Sequence, residues 1–130
     1  MIPTGRLVPV TGTPFDFRSA QNVGQMLERQ HSQIDLVGGF DHSWALPDDE
    51  PADANAVLRS ELTGVRMEVA TTSPAIQIYT GNHLSQRHAG ICLESQHLPD
   101  ACHHENFLTP LLRAGQPREF VSTYRFSVRE

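Results

Sequence analysis

The chain has no lysine: all ten of its basic residues are arginines. Schiff-base chemistry and any phosphate loop of the lysine-containing type are excluded, because both need an ammonium-bearing side chain. Positive charge is also scarce, with fifteen acids against ten bases and a net charge of -5. No basic patch stands ready to neutralise a row of phosphates, so nucleic acid is not an expected partner. Cysteine is limited to Cys92 and Cys102, and without a signal-like N-terminus the expectation is free thiols in a reducing cytoplasm. Long apolar runs are missing too. The longest stretch without Asp, Glu or Arg, Val69 to Gln86, contains Thr71, Thr72, Ser73, Gln77, Asn82 and His83 and cannot cross a bilayer. No membrane partner is expected.

What is present suits one folded domain over residues 1–130. Hydrophobic residues make up 38% and charged residues 19%, well away from compositions that stay disordered. Leu7 to Val10 and Phe15 to Arg18 read as short extended pieces around the Thr11-Gly12-Thr13-Pro14 punctuation. Ser19 can cap one short helix from Ala20 to Gln30, with Val23, Met26 and Leu27 as a narrow apolar stripe weakened by Gly24. Residues Phe40 to Leu46 predict a strand, and Pro47 to Asp53 an acidic, proline-broken connection. Ala56 to Leu62 and Val65 to Thr72 predict a hairpin across Thr63-Gly64, one face apolar and the other wet. Further strands are expected at Ala75 to Tyr79, Gly90 to Leu98 and Phe120 to Val128, the last alternating to Arg129. Strands at this density predict an all-β sandwich.

Three polar groups stand on these strands among apolar neighbours. Glu94 shares a face with Cys92 and Gln96, opposite Ile91 and Leu93. Periodicity leaves two readings for it: an ordinary carboxylate on a wet sheet face, or a partly desolvated general base. Asp41 lies in Gly38-Gly39-Phe40-Asp41-His42-Ser43-Trp44, where an Asp-His pair flanked by Phe40 and Trp44 combines hydrogen-bonding heads with aromatic surface on which a sugar ring could stack. The alternative is a strand start, with Asp41 binding backbone amides and His42 exposed. Gln77, a neutral amide opposite Ile76 and Ile78, can both donate to and accept from a hydroxyl. A rival set, His97, Cys102, His103 and His104 with Cys92 upstream, has zinc-competent ligand types. Its spacing departs from the usual paired motifs, and a histidine-bearing loop is the other reading.

The chain resembles the aldose 1-epimerase (galactose mutarotase) family. The matching segments run in order from Ile2-Pro3-Thr4-Gly5 and Val8-Pro9-Val10-Thr11-Gly12-Thr13-Pro14-Phe15-Asp16-Phe17-Arg18 through Gly39-Phe40-Asp41-His42. They continue with Leu62-Thr63-Gly64-Val65-Arg66-Met67-Glu68-Val69, Pro74-Ala75-Ile76-Gln77-Ile78-Tyr79-Thr80-Gly81-Asn82, Cys92-Leu93-Glu94-Ser95-Gln96 with Pro99-Asp100, and Leu111-Leu112-Arg113-Ala114-Gly115. The resemblance implies the C-terminal half of a galactose mutarotase-like sandwich, and an isomerase that interconverts the α and β anomers of aldohexoses such as glucose and galactose. Glu94 would be the general base, Asp41 and Gln77 would hold sugar hydroxyls, and neither metal nor organic cofactor would be needed.

The sequence departs from the family pattern in several places. The family's acid, a histidine in a His-x-Tyr-Phe-Asn-type segment, belongs to a region N-terminal to the one represented. Ala114 stands where proline is usual, His83 replaces a common aromatic, and the Leu84 to Ala89 loop is short. The resemblance therefore also admits a truncated enzyme, a non-catalytic carbohydrate-binding module, or a subunit that needs a complementary N-terminal chain or self-association.

Overall fold

The computed structural model describes residues 2–47 and 53–128. Most of the acidic connection after Pro47, and Arg129, lie outside the described residues. Chain order is α1 (Val23–Leu27), α2 (Ser32–Val37), β1 (Asp41–Ala45), β2 (Ala56–Arg59), β3 (Val65–Thr71), β4 (Ala75–Tyr79), β5 (Cys92–Gln96), a 3-10 turn (Ala101–His103) and β6 (Ser122–Val128). All pairings are antiparallel and form two three-stranded sheets, β1-β4-β5 and β2-β3-β6. The molecule is an all-β sandwich with short helices at one end of the chain.

Two local expectations need correction. The single helix is two. Asn22, not Ser19, caps α1 by accepting the Gln25 N–H at 3.1 Å, and Gly24 in the first turn leaves only a five-residue helix. α2 escapes a periodicity search because its only buried residue is Ile34. His31 caps it through Nδ1, and Gly38 ends it in the left-handed conformation at φ 71, where a glycine carries no Cβ penalty. The expected extended pieces before residue 18 are not strands. Thr13 folds the chain back through its N–H and hydroxyl bonds to the Val10 carbonyl, at 3.0 and 2.6 Å. That turn delivers the rings of Phe15 and Phe17 onto Phe40 and Trp44, with Phe15 and Phe17 each 5.4 Å from Phe40. The Trp44 indole N–H donates to the Phe15 carbonyl at 2.9 Å, so burying the aromatic cluster leaves this donor satisfied.

The entry into β1 is held by a buried polar clamp. Phe40 is fully buried; its N–H donates to Thr80 Oγ1 at 2.9 Å, and its carbonyl accepts from Asn82 Nδ2 at 3.0 Å. The Thr80 hydroxyl donates onward to Asn82 Oδ1 at 2.7 Å. Gly39, at φ 152, passes so close that a Cβ would lie 2.2 Å from that same oxygen. The clamp joins the start of β1 to the end of β4 and sets Asp41 in register.

β1, β4 and β5 then alternate as their sequences predict. Trp44, Ile76, Ile78 and Leu93 occupy one face, while Asp41, Ser43, Gln77, Tyr79, Cys92, Glu94 and Gln96 occupy the other. For His42 the exposed alternative does not hold. It is half-buried beside Phe15, at 4.8 Å between ring centroids, and its Nδ1 accepts the Asp41 N–H at 3.1 Å. Its Nε2 is buried without a hydrogen-bond partner. Burial lowers the His42 pKa from the ordinary 6.5, with nearby His31 adding to the effect and Asp41 opposing it. The folded state therefore prefers neutral His42. Its contribution to stability is complete above the unfolded-state pKa and is lost as pH falls below about 6.5 towards the lower folded value. Urea unfolding should show stability falling between pH 7 and pH 5, and His42→Gln should reduce that slope by up to one proton; an unchanged slope would remove His42 as the cause.

In the second sheet, Arg66, Glu68 and Arg125 form the wet face. Glu68 pairs with Arg66 and, at 3.0 Å, with Arg125, and these bonds, Arg66 first, hold its carboxyl below the usual range. The opposite face carries Leu58, Met67, Val69, Tyr124, Phe126 and Val128. Val69 is fully buried, but Phe126 and Val128 are 65% and 66% exposed. The hairpin alternates as expected, and its apolar face extends onto β6 into solvent. The Tyr124 hydroxyl donates to the Leu93 carbonyl of β5 at 3.5 Å, a contact between the two sheets.

Candidate functional site

Gln77 sits at the centre of the β1-β4-β5 sheet, directly opposite Ser43 on one side and Glu94 on the other. Its amide is fixed at both ends. Nε2 donates to Asp41 Oδ1 at 2.8 Å, while Oε1 accepts from Ser43 Oγ at 2.8 Å and from Gln96 Nε2 at 3.2 Å. An amide has two N–H donors, so one remains after the bond to Asp41. The Asp41 carboxylate likewise keeps its second oxygen as an acceptor. The sheet thus orients one donor and one acceptor side by side, and the neighbouring strand adds a carboxylate.

That carboxylate is Glu94. The three residues singled out from sequence come together on one face: Asp41 bonds Gln77, and Gln77 stands in register with Glu94. Of the two readings that periodicity left for Glu94, the partly desolvated one is not what the structure shows, because the residue is exposed. β5 is the edge strand of its sheet, so Glu94, like Cys92 two positions before it, has a neighbouring strand on one side only. The periodicity reading of a water-facing carboxylate describes its environment, and the register supplies its neighbours.

Sequence reasoning passed over Ser43 and Gln96. The signal for both was the period-2 alternation itself, since Ser43 follows Asp41 and Gln96 follows Glu94 by two positions. Beside Asp41 the surface sinks into an open depression of about 510 Å³ lined by Leu36, Val37, Gly38, Asn82, His83 and Arg87. Arg87 closes its rim by donating to the Gly38 carbonyl at 2.8 Å. The His83 N–H donates to the Tyr79 hydroxyl at 3.1 Å, and Tyr79 is the cross-strand partner of Asp41. Sequence reasoning noted His83 only as a departure and did not place Arg87 near Asp41.

The rival histidine and cysteine set does not assemble as a whole. Cys92 is on β5, and His97 packs edge-on against Phe120 at 5.0 Å. Both thiols are free and exposed. No helix among the described residues is long and apolar enough to cross a membrane.

Comparison with known proteins gives a consistent match. The family model described as aldose 1-epimerase matches residues 1–125. The galactose mutarotase of Mus musculus is 35% identical over 98% of this chain and 39% of its own length. The aldose 1-epimerase of Escherichia coli is 33% identical over 96% of this chain and 40% of its own. Among solved structures, the galactose 1-epimerase of Lactobacillus acidophilus superposes with a TM-score of 0.73 at 28% identity, over 99% of this chain and 39% of that one. An aldose epimerase homologue from C. elegans superposes at 0.81 with 22% identity, over 99% of this chain and 41% of that one, a likeness of fold. The chain spans about two-fifths of the length of the curated relatives it matches.

Proposed function

The chain belongs to the aldose 1-epimerase family, and on that premise we propose that its β1-β4-β5 face carries the base and the hydroxyl-holding groups of a mutarotase site for aldohexoses such as glucose and galactose. The observation that carries this reading is the register of Ser43, Gln77 and Glu94 together with the Asp41–Gln77 hydrogen bond. In the reaction Glu94 takes the proton of the C1 hydroxyl. The electrons left on that oxygen form the C1 carbonyl, the bond from C1 to the ring oxygen breaks, and an acid protonates the ring oxygen. Rotation of the opened C1 group and reclosure, with the proton transfers reversed, yield the other anomer. Asp41 and the free Gln77 N–H hold neighbouring hydroxyls, so the ring is fixed while C1 turns.

Among the described residues, β1, β4 and β5 place no histidine on this face beside Glu94. His42 adjoins Asp41 in sequence but projects to the opposite side, into the aromatic cluster, and so does not share the sugar face. We assign the acid to a histidine in the part of the family fold beyond the aligned two-fifths. The test is a hybrid in which this chain replaces the matching 39% of the mouse galactose mutarotase. Polarimetry of fresh α-galactose should show catalysed mutarotation. A folded hybrid with no rate above the uncatalysed one would favour the second reading, a carbohydrate-binding module.

The β6 surface bears on partnership. Tyr124, Phe126 and Val128 share one face with Val65, and all four are exposed. Exposed apolar surface concentrated on an edge strand is a site for further strands or for association. By itself the chain should bind an apolar-sensing dye and scatter light as more than a monomer, and Phe126→Lys should reduce both. A monomer without dye-accessible surface would contradict a role for this face in association.

A further inference from the structure

We propose that Asp100, Cys102 and His103 form a zinc(II) site on the turn that leaves β5, separate from the sugar face. The backbone makes the site. Asp100 adopts a left-handed conformation at φ 58, which bends the chain sharply after Pro99. Ala101–His103 then forms a 3-10 turn, in which residues three apart lie one above the other. His103 Nδ1 is thereby brought onto Asp100 Oδ1. Cys102 Sγ lies 3.4 Å from His103 Nδ1 and 4.0 Å from Asp100 Oδ1, and the three ligand atoms fall within 4.8 Å of one another.

These separations suit a single small ion. Zinc bonds of about 2.3 Å to sulfur and 2.0–2.2 Å to nitrogen and oxygen place tetrahedral ligand atoms roughly 3.3–3.7 Å apart. The sulfur-to-nitrogen distance is already in that range, and the His103–Asp100 pair parts to admit the ion. Thiolate, imidazole and carboxylate together favour zinc over magnesium or calcium, which take oxygen donors. Three protein ligands leave the fourth position to water.

A second feature supports the assignment. His104 Nε2 is buried without a hydrogen-bond partner and lies 3.5 Å from Asp100 Oδ2, the carboxylate oxygen turned away from His103. The His104 ring is itself held by Phe107, at 5.1 Å, and by the close approach of Gly5. Asn106 fastens the same segment by donating to the Gly5 carbonyl at 3.1 Å. His104 is thus placed to steady the liganding carboxylate, as outer partners of metal sites do. Adjacent histidines do not easily share one ion, and the spacing of His97, Cys102, His103 and His104 departs from paired zinc motifs. In the structure only His103 would bind it, and Asp100, which the sequence reading left out of the set, completes the ligands.

Cobalt(II) added to the reduced, untagged chain tests this. It should bind at one equivalent with a thiolate-to-cobalt charge-transfer absorption that zinc(II) abolishes. Cys102→Ser should remove the band, His103→Ala should weaken binding at least tenfold, and Cys92→Ser should leave it unchanged. Absence of the band in the unaltered chain, its persistence in Cys102→Ser, or its loss in Cys92→Ser would overturn the proposal. Circular dichroism of each variant separates loss of ligand from loss of fold.

Discussion

Glu94→Gln in the mouse hybrid should lower catalysed mutarotation by about 10²–10⁴-fold, the range a positioned general base contributes. The substitution keeps the size and hydrogen-bonding capacity of the side chain and removes only its ability to accept a proton as a carboxylate. Glu94 is exposed on an edge strand, so the fold should be unaffected; the urea midpoint should stay within the small range typical of surface changes. Galactose should still bind, because Asp41 and Gln77 are untouched, so the loss should fall on kcat rather than KM. An unaltered rate would place the base elsewhere. A raised KM with unchanged kcat would make Glu94 a binding group only.

Phe40→Ala should be the most damaging single change to stability, at about 3–5 kcal/mol. Phe40 is fully buried and lies within aromatic contact of Phe15, Phe17 and Trp44. Truncating it opens a cavity among rigid rings that have little freedom to collapse. Its backbone also carries the Thr80–Asn82 clamp at the residue before Asp41, so loosening this point should blur the register on which the Asp41–Gln77 bond depends. Urea unfolding measures the first effect and the amide resonances of Gln77 the second. A loss below about 1 kcal/mol would mean that the cluster repacks and that the clamp alone sets the register.

The strands were largely legible because β4 and β5 each state their two faces in five residues. Ile76 and Ile78 against Gln77, and Leu93 against Glu94, fix both alternation and register once the strands pair. Asp41, Gln77 and Glu94 could be noted as polar groups on strands, but their roles in a site came from the family resemblance. Their meeting depends on which strands are neighbours: β4 lies between β1 and β5, and no short-range pattern encodes that order. α2 was illegible because a helix with one buried residue leaves no stripe. Phe15 and Phe17 look like a strand because alternating aromatics do; only the Thr13 turn and the Trp44 bond show that they are a plug. An exposed His42 was only one of two readings of the strand start; alternation sends it to the side opposite Asp41, where the aromatic cluster half-buries it. Cys102 and His103 carried the right chemistry at a spacing foreign to zinc motifs, and the left-handed Asp100 that gathers them is invisible without the backbone.

The sugar face itself can be tested most directly by titrating galactose into the ¹⁵N-labelled chain. Perturbed resonances should concentrate at Asp41, Ser43, the Gln77 side-chain amide and Glu94, with Gln77→Leu abolishing the pattern while the spectrum of β6 stays unchanged. Perturbations confined to other strands, or none at saturating sugar, would contradict the assignment of this face to an aldohexose.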